Sequence, residues 1–270
     1  PAPGGGSISA YCGALGASLA VMVANLSAHK RGWDDNWEFF SDWGEKGMIL
    51  QQKLIDLVDD FRKEFSNKMD LIVDAVQGST SNPWATKVSI NLAKELEKYK
   101  ILFFEEPCRV ENLEGYKEIK NSTDINIAGA ESIPTARAFK PYFDANVFDV
   151  VQFDIATSGF TEGRRIADMA YVHNKPVAIH SWGSAISIMA GIHFSLSISN
   201  SAFTEYCFMD HPINQDLFED GKINIEYGYI KKPNTYGLGV QFDEKIISQY
   251  PYKEKINTMI STEENDIKLV

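Results

Sequence analysis

Three acidic residues, Asp74, Glu105 and Glu131, each close a short apolar run: Leu71-Ile72-Val73, Ile101-Leu102-Phe103-Phe104 and Ile125-Asn126-Ile127-Ala128-Gly129-Ala130. Carboxylates that converge at buried strand ends repel one another in a low-dielectric site unless a cation sits between them. Ligation by oxygen alone suits a hard ion such as Mg²⁺. A second group has the same placement. Asp154 ends Val150-Val151-Gln152-Phe153, His180 ends Pro176-Val177-Ala178-Ile179, and Glu205 ends a sixth run. An Asp beside a His fixes the imidazole tautomer and raises its basicity. Such a pair is suited to taking a proton from a carbon next to a carboxylate, while a cation neutralises the charge that develops.

Positioning these groups requires strands that all point one way. Apolar runs predict strands at 70–74, 101–105, 125–129, 148–153, 176–180 and 203–207, with helices near 84–98, 111–120, 134–142, 161–173 and 185–198 between them. That alternation calls for a parallel sheet with its loops gathered on one face. The fold class is therefore α/β, a partial (β/α)8 TIM-type barrel with six of its eight strands. Residues 1–57 show no strand signal and read as an all-α helical segment, leaving 58–270 to the barrel. In that first segment Gly4-Gly5-Gly6-Ser7 leads into a helix rich in small residues, and an amphipathic helix follows from Trp37 to Val58.

Other residues read more plainly. Glu106 competes with Glu105 as a ligand in its motif but, preceding Pro107, is expected to orient the turn. His173, His193 and His211 are expected to pack or lie exposed, Lys175, Arg164 and Arg165 to face solvent, and Trp84 and Trp182 to pack or line the pocket.

Composition narrows the function classes. The chain has 270 residues, 44% of them hydrophobic and 12% aromatic, which suffices for a packed core. A formal charge of -11, from 26 basic and 37 acidic residues, opposes general affinity for nucleic acid or anionic membrane. A small molecule is the expected partner, and homo-oligomerisation is left open. Cys12, Cys108 and Cys207 are widely spaced and form no zinc pattern, which fits a reducing cytoplasm. The apolar stretch from Tyr11 to Ala24 is shorter than the roughly 18–20 residues a membrane span needs. The opening Pro1-Ala2-Pro3 suggests a piece of a longer protein, not a secreted precursor.

Six motifs together carry a resemblance: Val73-Asp74-Ala75, Phe104-Glu105-Glu106-Pro107, Ala128-Gly129-Ala130-Glu131-Ser132, Phe153-Asp154 with Gly159, Ile179-His180-Ser181-Trp182-Gly183, and Thr204-Glu205-Tyr206. Residues from about 60 to 255 resemble the catalytic barrel of the enolase superfamily, in its mandelate racemase and muconate lactonizing branch. The resemblance implies that Asp74, Glu105 and Glu131 bind Mg²⁺, that Asp154 and His180 form a base dyad, and that Glu205 hydrogen-bonds the substrate or its enediolate. The Phe-Phe-Glu-Glu-Pro-Cys and His-Ser-Trp-Gly stretches look most like sugar-acid dehydratases, which implies a small-molecule hydroxy-acid or sugar-acid substrate, with racemisation, epimerisation or cycloisomerisation as relatives sharing the first step. Two departures stand out: no KxK base precedes Asp74, and no capping domain precedes the barrel. Val76 also stands where that family commonly has Asn. Residues 1–57 resemble the start of the formiminotransferase-cyclodeaminase and methenyltetrahydrofolate cyclohydrolase family, which is all-helical and handles folate. The chain thus reads as a hybrid, with a catalytically inactive hybrid and a folate-binding module as the competing expectations.

Overall fold

The computed structural model describes residues 37–65, 69–80, 83–206, 223, 225–240 and 244–251. The Gly-rich start, the small-residue helix through Ala24, and Cys12, Cys207 and His211 lie outside the described residues. The chain divides into two compact units, the first holding residues up to His180 together with Asn200–Phe203, and the second holding Ser181–Ser199 and the chain from Thr204 onward.

In the first unit, helix α1 (Trp37–Phe65) runs unbroken through Leu57 and Val58. It presents Phe39, Trp43, Met48 and Ile49 at its surface. Then the alternation begins: β1 (Ile72–Asp74), α2 (Thr86–Leu96), β2 (Phe103–Glu105), α3 (Leu113–Lys120), β3 (Asn126–Gly129), α4 (Ala136–Asp144), β4 (Val150–Asp154), α5 (Ile155–Val172), β5 (Val177–His180) and β6 (Ser201–Thr204), with α6 (Ala185–Ser197), which belongs to the second unit, between the last two in the chain. The six strands lie in chain order, β1-β2-β3-β4-β5-β6. Pairing is parallel from β1 through β5. This is the arrangement of a partial (β/α)8 barrel, with each helix returning the chain to the start of the next strand.

Strand alternation gives the sheet two apolar faces. Phe103, Ala128, Val150 and Ala178 form one cluster, with Ile72, Leu102 and Phe203 against it. Residues of the first and last strands share that cluster, and the rings of Phe103 and Phe203 stack at 6.0 Å, so the sheet is curled. The other face is also buried. There Val73, Phe104, Ile127, Val151, Phe153, Val177 and Ile179 alternate with the cluster residues, and Leu92, Leu96, Tyr116, Ile119, Phe139 and Ile166 are the buried side chains of the helices. Burial on both faces explains why these strands read as continuous apolar runs.

Two helices start where the sequence does not mark them clearly. Asn112 and Thr135 cap α3 and α4 by accepting from Gly115 N and Ala138 N. Helix α5 begins at Ile155, six residues before the expected start at 161, because Asp154 Oδ1 accepts from Ala156 N at 2.6 Å. Gly159, at φ 66 and ψ 170, breaks that helix into two parts.

In the second unit, α6 buries Ala185, Ile188, Met189 and Ile192 against Ile223, Ile230, Leu238, Val240, Ile246 and Ile247. The same unit contains a small hairpin, β7 (Ile225–Glu226) and β8 (Tyr229–Ile230), and helix α7 (Glu244–Ser248). Tyr227 and Gly228 turn that hairpin, both with positive φ, as a two-residue turn of this kind requires. No helix among the described residues is long and apolar enough to cross a membrane.

Candidate active site

Asp74 and Glu105 are register partners on β1 and β2, and Glu105 pairs in turn with Ala128 on β3. Adjacent strands stand about 4.8 Å apart, so two acids in register at strand ends are neighbours. Glu131 follows two residues after β3 ends at Gly129. Asp154 and His180 are register partners on β4 and β5. The fold therefore sets five predicted site residues along one end of the sheet. Glu205 follows β6 at Thr204 and belongs to the second unit.

The backbone at the first three strand ends is unusual. Val76, Glu106 and Ala130 all have positive φ, at 52, 40 and 86. Left-handed backbone in residues with a Cβ costs on the order of 1–3 kcal/mol each and tends to cluster at functional sites. Here it brackets the three acids. Asp74 Oδ1 accepts from Val76 N at 2.8 Å, so the strained turn and the acid support each other. Gln77 secures the same loop, donating from Nε2 to Ala75 O at 2.8 Å and accepting at Oε1 from Trp84 N at 2.9 Å.

His180 is held at both ring nitrogens. Nδ1 lies 2.7 Å from Asp154 Oδ2, and Nε2 lies 3.1 Å from Glu131 Oε2. The two oxygens of Asp154 have separate partners, since Oδ1 takes the Ala156 N–H at the start of α5. Its carboxylate is thus fixed in the plane that orients the imidazole. Both contacts to His180 need a proton between the heavy atoms, so the two carboxylates and the ring share two protons in this arrangement.

The electrostatics follow from burial of like charges. Burial first, then the Glu131 charge, pushes the Asp74 carboxyl up to about 6, against the Val76 N–H and His180, which pull it down. Burial, Glu131 and Asp74 push Glu106 up to about 8. Glu106 is 1% exposed and Glu105 5%. The reading of Glu106 as a simple turn residue missed this burial, and the only signal in the sequence was its place inside an apolar run next to Pro107.

Among the described residues, no three Asp, Glu, His or Cys side chains are grouped closely enough to hold a metal ion as they stand. The reason is visible in the contacts: Glu131 is drawn to His180 and Asp74 to the Val76 N–H. The donor chemistry nonetheless suits Mg²⁺, because Asp74, Glu105 and Glu131 offer oxygen alone from adjacent strand ends, and the Asp74 carboxyl, raised mainly by burial and further by the Glu131 charge, would be relieved by a cation.

Of the other singled-out residues, His173 caps the end of α5 through Met169 O at 2.8 Å and lies against Phe143. His193 sits half-buried in α6, Trp84 is half-buried, and Trp182 is exposed.

The chain is similar to proteins of known family. The family described as "Enolase C-terminal domain-like" matches residues 42–246, and "Formiminotransferase-cyclodeaminase" matches residues 1–76. A D-galactonate dehydratase family member of Salmonella enteritidis is 30% identical over 60% of this chain and 39% of its own length. The D-galactonate dehydratase of Klebsiella pneumoniae is 30% identical over 88% of this chain and 63% of its own. Among solved structures, the 3,6-anhydro-D-galactonate cycloisomerase of Zobellia galactanivorans superposes with a TM-score of 0.65 at 31% identity, covering 74% of this chain and 55% of that one. The chain thus spans less than two thirds of the length of each of these relatives.

Proposed function

Because this chain belongs to the enolase C-terminal domain-like family, we propose that it carries the site of an enzyme that removes the proton next to a carboxylate, with dehydration of a sugar acid as the reaction. The observation that carries this reading is His180 pinned by Asp154 at 2.7 Å while its other nitrogen faces the acid group.

In this reading Asp74, Glu105 and Glu131 would hold Mg²⁺, which when bound supplies positive charge to a substrate carboxylate and to the charge that develops on it. His180 is the base. Asp154 keeps the proton on Nδ1, leaving Nε2 as the atom that accepts the carbon-bound proton. For that to happen Glu131 has to release Nε2, and a Glu131 turned toward Asp74 and Glu105 does so. The imidazolium then stands ready to give its proton to a departing β-hydroxyl, which leaves as water. Glu205 is proposed as a hydrogen-bonding partner of the substrate.

The relatives named D-galactonate dehydratase support dehydration. The solved cycloisomerase supports a second reading, in which the same proton removal is followed by rearrangement. The match of residues 1–76 to formiminotransferase-cyclodeaminase keeps a folate-binding role in view for the first segment.

The test is incubation of the purified chain in D₂O with Mg²⁺ and a panel of aldonic and aldaric acids, following deuterium at the α-carbon by NMR. Exchange with at least one acid, lost in His180→Asn, is expected. Absence of exchange with every acid, together with no rise in melting temperature on adding Mg²⁺, would sink the proposal.

A further inference from the structure

Among the described residues Glu106 is the most deeply buried acid, and proton transfer by His180 gives it no task. Its connections reach three loops. Its N–H donates to Ala128 O on β3 at 3.1 Å, and its C=O accepts from Gln77 N in the loop after β1 at 3.0 Å. Its carboxyl group lies against Gly78 and accepts the Gly78 N–H. A Cβ at Gly78 would overlap all three carboxyl atoms, so the acid occupies a seat that only glycine leaves open. Gly78 O in turn accepts from Val110 N at 3.3 Å, closing the loop after β1 onto the loop after β2. On the other side its Cγ stands 3.5 Å from where a Gly129 Cβ would be. One carboxyl oxygen, Oε1, is buried with no hydrogen-bond partner. An unsatisfied buried polar atom is costly and calls for a reason to be kept.

We propose that Glu106 is the positioning residue of the acid site: seated on Gly78 and tied to the ends of β1, β2 and β3, it fixes the spacing of Asp74, Glu105 and Glu131 and so sets cation affinity. The proposal rests on reading those three residues as the cation site. Glu106 acts through the loops and is not itself a ligand. Its backbone is left-handed, at φ 40.

The experiment titrates Mn²⁺ into the purified chain, reading free ion by its electron paramagnetic resonance signal, and records metal-free melting for the same variants. Glu106→Gln keeps the shape and the Gly78 contact and should bind Mn²⁺ within about threefold of the parent, whereas Glu106→Ala should bind at least about tenfold more weakly, the loss typical of groups that orient ligands. Gly78→Ala, which evicts the carboxyl group, should lower both melting temperature and Mn²⁺ affinity. Adding Glu106→Ala to Gly78→Ala should raise the melting temperature again, because the overlap is gone, without restoring affinity. Parent-like Mn²⁺ binding by Glu106→Ala, a double variant that melts no higher than Gly78→Ala, or a Glu106→Gln that binds as weakly as Glu106→Ala would each overturn the proposal. A parent chain that binds no Mn²⁺ would instead remove the cation-site reading, and this proposal with it.

Discussion

Asp154 Oδ2 stands 2.7 Å from His180 Nδ1, and the two residues are register partners at the ends of neighbouring parallel strands. The same carboxylate caps α5 through its other oxygen. Strand register and helix start therefore fix the pair's geometry together, and disturbing either should disturb the proton chemistry.

Replacing Asp154 by Asn keeps the shape but offers an amide where the imidazole needs an acceptor. Deuterium exchange at the substrate α-carbon should fall by about 10²–10⁴-fold, the usual worth of a positioned acid–base group. The melting temperature should change little, because Asn also caps helices well. Unchanged exchange would remove the dyad.

Val76 is β-branched and held at φ 52, a conformation Asn tolerates far better. Val76→Asn should stabilise the metal-free chain by about 1 kcal/mol in urea unfolding, through relief of strain. A less stable variant would show that the isopropyl group packs usefully despite being 36% exposed.

Glu106 makes stability depend on pH. Its carboxyl group is raised from 4.5 to about 8 in the folded chain, so between those values the folded state keeps a proton that the unfolded state has released. The contribution is complete below about pH 4.5 and is lost as pH climbs toward 8. With chelator present, the parent should lose on the order of 3 kcal/mol over that range relative to Glu106→Gln, whose side chain does not titrate. Parallel pH profiles for the two proteins would contradict the assignment.

Burial, with the Glu106 charge adding to it, raises the Cys108 thiol to about 12. The thiolate is the reactive form, so Cys108 should resist iodoacetamide in the folded chain at about pH 8 and react only as fast as the chain unfolds. Peptide mapping of alkylated protein, with and without urea, checks this. Rapid labelling of Cys108 in native buffer would show that the loop after β2 opens.

The apolar runs and their punctuation determined the alternation of strands and helices, because a strand buried on both faces has to be apolar throughout. Strand positions came within two or three residues, and five of the six singled-out acids and His180 fall at strand ends in the first unit. Their residue types alone specified oxygen ligation and a base dyad as the chemistry to look for. The start of α5 was not legible, because Asp154 caps it with a side chain already engaged by His180 twenty-six residues away. Nor was the orientation of Glu131, which depends on whether His180 or its fellow acids stand nearer in space. Glu106 shows the limit most clearly. In the sequence it is one of two adjacent acids before a proline. Only the packed structure shows that its carboxyl group sits against Gly78, since that depends on a neighbouring strand's loop leaving room, and no local pattern encodes the space left by a residue distant in the chain.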